Sequence, residues 1–286
     1  MIPLTDLKQN KFKNGLYIVA TPIGNLSDIT IRALEILKIS DYVLCEDTRV
    51  SKKLLDKFKI NTNLISNHKF NEKRNLSRII NLLENKKTIC LISDAGTPCI
   101  SDPGGIIVKE CINKNINIFS VPGPSSVTSA VAISGFTDKY FFYGFFPDKN
   151  KEINRDFKIL AELNSSIVFF ISAKKFNKKF GLLKEYFPER EILICREITK
   201  IHEHFYRSKI SEIENFQFNP KGEVTVIISE KYNDNKKEIL DESDKIKIKK
   251  LILNTSVKDI VRIISQQKNI SKSKIYNYCL QIKNEK

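Results

Sequence analysis

Short apolar runs alternate with amphipathic stretches through the first half of the chain. Residues 15–20 (GLYIVA) predict a first strand, 21–28 a loop, and about 30–38 a helix with Ser27 or Asp28 as its N-cap. Residues 42–45 predict a second strand that ends in Glu46-Asp47-Thr48-Arg49, and a helix from Ser51 follows with Leu54, Leu55 and Phe58 at helical spacing. Residues 64–66 predict a third strand, 68–75 a polar loop and 76–84 a helix. Residues 88–92 have the length and flanks of a buried strand; a helix from 106 to about 113 and a strand over 116–121 come next. Strand, loop and helix in this succession predict a mostly parallel α/β sheet.

Between the strand at 88–92 and the helix at 106 lies Ser93-Asp94-Ala95-Gly96-Thr97-Pro98-Cys99-Ile100-Ser101-Asp102-Pro103-Gly104-Gly105. Open α/β sheets bind ligands in loops at strand ends. Glycine lets backbone approach a ligand and proline holds a loop in shape. Two aspartates favour a cationic ligand over a phosphate. Taken alone, the loop reads equally as a tight structural turn.

The second half begins with the turn Val121-Pro122-Gly123-Pro124, a domain boundary by pattern, and a helix of small and β-branched residues from Ser125 to Gly135. An aromatic strand at 141–146 follows, then strands at 167–171, 192–194 and 224–228 and helices near 157–163 and 176–186. Residues 195–203 read as a dense polar loop, and 231–250 as a charge-rich linker. Two short amphipathic helices, 257–266 and 273–283 with Ser271 as a cap, close the chain as a packing appendage or an RNA-touching hairpin. The division expected is an α/β domain over 14–121, a second over 122–230, and a linker with a helical tail over 231–286. Of the 19 Gly and Pro, 14 fall between Gly15 and Pro147, which places most of a site in the first half.

Composition narrows the class. No run of 18 apolar residues occurs and residues 1–13 are polar, so neither a membrane span nor a leader is expected. Six cysteines without a Cys-x-x-Cys pair and only three histidines predict reduced thiols in a cytoplasmic protein without a structural metal. The net charge of +15 suggests a polyanionic partner, although the excess is lysine, 39 against 9 arginines, as on any solvated surface. No Gly-x-Gly-x-x-Gly follows a strand, which argues against a nicotinamide dehydrogenase.

Four strings occur in order: Ala20-Thr21-Pro22-Ile23-Gly24-Asn25-Leu26-Ser27-Asp28, Glu46-Asp47-Thr48-Arg49, Ser93 to Pro98 with Ser101-Asp102-Pro103-Gly104, and Pro122-Gly123-Pro124-Ser125. With Arg196-Glu197-Ile198-Thr199-Lys200 and Lys221-Gly222-Glu223 they resemble the small-subunit ribosomal RNA methyltransferase branch of the tetrapyrrole-methylase (class III methyltransferase) fold family. The resemblance covers about residues 15–228 and extends to the helical tail. One segment departs: where the family has an aromatic-aromatic-Glu-Ser-Pro-His-Arg run, this chain has Phe169-Phe170-Ile171-Ser172-Ala173-Lys174-Lys175, so no catalytic role is carried onto it.

The resemblance implies two α/β domains, a homodimer, S-adenosyl-L-methionine as cofactor and no metal. It implies methylation of the ribose 2′-hydroxyl of the decoding-region cytidine of 16S rRNA in the small ribosomal subunit. Cofactor contacts are expected from Ser93, Asp94, Ala95, Gly96, Thr97, Pro98, Ile100, Ser101, Asp102, Ser125, Ser126, Gly222 and Glu223. Thr21, Pro22, Gly24 and Asn25 would face the substrate, with Arg32, Arg49 and Arg74 as phosphate contacts. Asp47 and Glu46 end a strand at the same sheet edge and are the candidate general bases; capping of the next helix and pairing with Arg49 would explain them equally. A tetrapyrrole methylase and an RNA-binding protein with a degenerate site are the competing readings.

Overall fold

Strands in the first half are apolar at consecutive positions because both of their faces are covered. β1 (Gly15–Val19), β2 (Tyr42–Cys45), β3 (Asn63–Ser66), β4 (Thr88–Leu91) and β5 (Ile118–Val121) form one sheet in the order β3-β2-β4-β1-β5, with every pairing parallel. Tyr17, Val43 and Cys90 point to a face covered by α1 (Ile31–Ile39) and α2 (Thr48–Lys57) through Ile36, Leu37 and Leu55. Leu16, Leu44 and Ile89 point to the other, under α3 (Glu72–Glu84) and α4 (Gly105–Asn113) through Ile79, Leu83 and Ile107. Each such side chain, fully buried, stabilises the fold by about 1.5–3 kcal/mol. All the loops after these strands therefore emerge at one edge. This computed structural model describes residues 11–213, 222–231, 240–267 and 270–284.

The cap of α1 is Thr30, whose Oγ1 accepts the Ala33 N–H at 3.1 Å, rather than Ser27 or Asp28. Those two residues sit in a separate 3₁₀ turn, Leu26–Asp28, capped by the Asn25 side chain. The pattern missed this because the turn and the cap are each one residue type deep. The helix expected from Ser51 begins at Thr48, with Asp47 as its N-cap.

The second sheet differs from the mostly parallel pattern read in the first half. It comprises β6 (Tyr140–Phe145), β7 (Ser166–Ser172), β8 (Glu191–Arg196), β9 (His204–Lys209) and β10 (Glu223–Ile228) in the order β6-β7-β10-β8-β9. Only β6 and β7 run parallel; the remaining pairs are antiparallel. β9 is not legible in the sequence: HFYRSK is a polar edge strand without an apolar run. Helix α5 (Ser126–Ser134) covers one face through Val127 and Ala130. On the other face α6 (Asn150–Ala161) and α7 (Ala173–Tyr186) enclose an aromatic core of Phe157, Phe169, Phe176 and Phe187.

These two sheets lie in one compact unit that ends at Lys231, and a second unit starts at Tyr232. Among its described residues the second unit has three helices where two were expected: α8 (Glu242–Leu251), α9 (Val257–Gln267) and α10 (Lys272–Asn284). A capping box between Asp241 and Asp244 starts α8 inside the stretch read as linker, and Ile248 joins a core with Ile260, Ile264, Ile275 and Cys279. Ser271 accepts the Lys274 N–H at 3.3 Å, the cap expected of it. Among the described residues no helix is long and apolar enough to cross a membrane. All six cysteines are unpaired, five of them buried.

Candidate active site

The loop after β4 is held in a shape that few residues can adopt. Ser93 is buried; its Oγ donates to the Ala95 carbonyl at 3.1 Å, and its own carbonyl accepts the Thr21 hydroxyl at 3.2 Å. Thr21 and Gly96 exchange two backbone hydrogen bonds of 2.9 and 3.0 Å, which join the loop after β1 to the loop after β4. Gly96 has φ +80°, and Cys99 and Ser101 both have φ +66°. Non-glycine residues in that region cost about 1–3 kcal/mol each, and such strain gathers at functional sites. At Gly104, φ is +127° and a Cβ would lie 2.4 Å from Leu91 Cδ2. Glu72, itself buried, accepts the Ile106 and Ile107 N–H groups at 3.0 and 3.3 Å and so fixes the loop where it enters α4. Thr97 Oγ1 donates to the Pro124 carbonyl, tying the loop to the turn before α5.

Loops from the second sheet meet those of the first. Glu197 and Thr199, after β8, also have positive φ, 52° and 63°. Glu197 Oε1 accepts the Glu223 N–H at 2.9 Å and the Lys200 ammonium at 3.2 Å, and Lys200 also reaches Glu223 Oε2. The Asn25 N–H donates to Thr199 Oγ1 at 3.0 Å. Gly24 lies against the same loop, where a Cβ would stand 2.5 Å from Lys200 Cγ.

The space so enclosed is a cavity of about 410 Å³. Asp94, Ala95, Gly96, Thr97, Ile100, Asp102, Ser125, Ser126 and Glu223 line it, as does Ile23. Ser93, Pro98, Ser101 and Gly222 do not line it; Ser93 and Pro98 are buried beneath the loop, and Gly222, with φ +108°, packs on the Glu197 carboxylate. Thr21 and Pro22 are buried behind the loop, and Gly24 and Asn25 are exposed beside it. Lys221 lies outside the described residues. The far wall, Phe145, Phe170, Ile171, Ser172, Cys195, Ile198, Val224 and Thr225, carries no site signal of its own in the sequence, where it falls in apolar strands and in the polar loop 195–203. Phe170, Thr225 and Cys195 are direct neighbours across β7, β10 and β8, so one register aligns them. The departing segment thus supplies wall residues, while Lys175 turns away to pair with Asp148.

Carboxylates crowd the first-sheet side. Burial, and then the charges of Glu46, Asp94 and Glu223, push the Asp102 carboxyl up to about 6 against a bond from Ser93. Burial also raises Asp94, with the Asp47 charge adding to it. Asp94 Oδ1 accepts the Asp47 N–H at 3.2 Å, linking the ends of β2 and β4. Asp47 goes the other way: side-chain and backbone bonds from Arg49 hold it down at about 2. Its two oxygens take Arg49 Nε and Nη2 at 3.1 and 2.6 Å while it caps α2. Arg49 is exposed beside the cleft; Arg32 donates to the Ser120 carbonyl, and Arg74 is exposed on α3. No cluster of histidine, cysteine and carboxylate ligands suited to a metal occurs among the described residues.

The profile of the tetrapyrrole (corrin/porphyrin) methylases matches residues 15–214. A protein of Thermotoga maritima named ribosomal RNA small subunit methyltransferase I is 46% identical over 76% of this chain and 98% of its own length. One of the same name from Mesomycoplasma conjunctivae is 43% identical over 74% and 89%. In structure, the methyltransferase CobJ superposes with a TM-score of 0.57 at 12% identity, over 76% of this chain and 94% of its own, a likeness of fold. Its fold, its loops and its relatives together make this chain a member of the tetrapyrrole (corrin/porphyrin) methylase family of S-adenosylmethionine-dependent methyltransferases, grouped with the relatives named ribosomal RNA small subunit methyltransferase I.

Proposed function

We propose that this chain methylates the ribose 2′-hydroxyl of the decoding-region cytidine (position 1402) of 16S rRNA in the small ribosomal subunit, in the cytoplasm and as a homodimer. The identity of 46% across nearly the whole of a named small-subunit rRNA methyltransferase carries the reading. Residues 14–121 and 122–230 act in it as two domains with the cleft between their sheets.

The cleft residues fit S-adenosylmethionine. Phe145, Phe170, Ile198 and Val224 make an apolar wall for a purine. Asp94 suits the cationic sulfonium and ammonium groups. Gly96, at φ +80°, lines the cavity without a side chain and so offers bare backbone to a ligand. In the proposal residues 94–97, 100, 125–126 and 223 hold the cofactor, with Ser93, Pro98, Ser101 and Gly222 shaping the loops behind them, and the cofactor supplies an already activated methyl group. The protein then has to align the hydroxyl, exclude water and take a proton.

Basicity sorts the acids for that last task. Asp47, at about 2, is a weak base and serves by holding Arg49 and the start of α2. Asp102, at about 6, binds a proton far better, and the Glu46 charge acts directly on it. The proposal gives the proton to Asp102, with the Glu46 charge holding its basicity up. Arg32, Arg49 and Arg74 contact phosphates, and Gly24 and Asn25, the exposed part of the loop after β1, form the substrate side of the cleft with Thr21 and Pro22 buried behind them.

Transfer of a labelled methyl group to small subunits that lack the modification, followed by mapping on the RNA, tests the reading. A 2′-O-methyl group at the decoding-region cytidine supports it. Transfer to a tetrapyrrole instead, or cofactor binding with no transfer to the subunit, overturns it.

A further inference from the structure

Phe70 is 93% exposed in the turn between β3 and α3. Exposure of a whole aromatic ring costs about 2 kcal/mol relative to burying it, and a loose loop would fold it away. This turn cannot. Asn71, 7% exposed, accepts the His68 N–H at 2.7 Å and donates to the Ser66 carbonyl at 3.2 Å. Asn75 donates to the same carbonyl at 2.8 Å, and the Asn71 N–H reaches the His68 carbonyl at 2.9 Å. The Phe70 N–H donates to His68 Nδ1 at 3.3 Å, and the two rings stand edge to face at 6.1 Å. The ring is therefore presented to solvent by a rigid frame.

Its place and charge say what it meets. Ser66 is in register with Cys45, and the order β3-β2-β4 sets the turn beside Glu46 to Arg49 at the sheet edge that carries the cleft. Two strand spacings separate the ends of β3 and β4, about 10 Å, which is one or two nucleotide steps. Lys69, Lys73 and Arg74 flank Phe70 in the chain, are exposed, and enter no ion pair among the described residues. A second copy of so basic a face would repel it, whereas a phosphate backbone is drawn to it.

We propose that residues 68–74 are a stacking platform for an unpaired base of the substrate RNA close to the acceptor nucleotide, with Phe70 as the ring that takes the base. The inference rests on the rRNA reading above. Single-stranded RNA is recognised by such pairing of aromatic faces with basic side chains.

The test uses the full chain and unmodified small subunits. Phe70→Ala should raise KM for the subunit about 10- to 100-fold, the loss expected for one stacked base. Turnover at saturation, cofactor affinity, thermal midpoint and the salt slope of binding should stay as in the parent chain, and Phe70→Trp should restore KM. Lys69→Ala should instead lower the salt slope by about 1. An unchanged KM in Phe70→Ala, or a raised KM that tracks dissociation of a dimer in sedimentation velocity, overturns the platform while the rRNA reading stands. A parent chain that methylates no subunit removes both.

Discussion

The two sheets of the first unit face one cleft and contribute to it in opposite ways. The parallel sheet sends loops: strained, glycine-bearing and acidic, with Gly96, Cys99, Ser101 and Gly104 all at positive φ within nine residues. The mostly antiparallel sheet sends its own faces, with Phe170, Thr225 and Cys195 side by side across three strands. Parallel strands all end at one edge, so ligand-facing backbone accumulates there. Antiparallel strands alternate in direction, so their contribution is a wall of side chains held by the core behind it. In the proposed reading the difference separates tasks: the first sheet's loops bring the aspartates, and the second sheet's face brings an apolar wall rimmed by the Glu197–Lys200–Glu223 network.

Damage behind the wall should cost the most. Phe157 is fully buried against Phe146, Phe169 and Phe187, and Phe157→Ala should destabilise the fold by about 3–5 kcal/mol in urea unfolding. If the wall is rigid only because of that core, cofactor affinity should fall with it. On the loop side, Asp102→Asn should lower turnover about 100-fold and abolish the acid limb of the pH profile. In the parent chain that limb should lie near pH 6, with activity lost below it as the carboxyl takes a proton. Because this pKa is raised in the folded state, Asp102 also withdraws stability as pH climbs from about 4 to 6, and unfolding curves of Asp102→Asn should lack that decline.

Smaller effects sharpen the contrast. Gly104→Ala forces a side chain onto Leu91 and Cys99 at a left-handed φ, and should cost about 1–3 kcal/mol in thermal unfolding. Thr199→Val removes the acceptor of the Asn25 N–H, which joins the two sheets' loops; about 1 kcal/mol and a modest rise in KM should follow. Arg49→Ala should leave the fold intact and reduce the salt slope of subunit binding by about 1. An unchanged slope would make Arg49 only the partner of Asp47.

Much of the first sheet could be read from the chain, since its strands are unbroken apolar runs and its loops need residues with special backbone freedom. Gly96 and Gly104 mark their own positions, because a positive φ and a close approach exclude most side chains. The carboxylates at 46, 47, 94 and 102 could be named from sequence, but not ranked. Arg49 beside Asp47 and burial around Asp102 drive their proton affinities apart, and neither is visible along the chain. In the sequence Phe70 is one apolar residue within the polar loop 68–75; the bonds of Asn71 and Asn75 that lock its turn exist only in the fold. The second sheet hides most, since β9 lacks an apolar run and Phe145, Phe170 and Val224 look like ordinary core residues.

The sequence by itself determined where the backbone must bend, which segments are strands or helices over most of the first half, and which family the loops resemble. Only the tertiary structure decided which side chains share the cleft and which carboxylate is basic. Backbone constraints are local, so one residue type can record them; the cleft wall and its electrostatics depend on antiparallel register and burial among residues 145 to 225, and no single position carries that information.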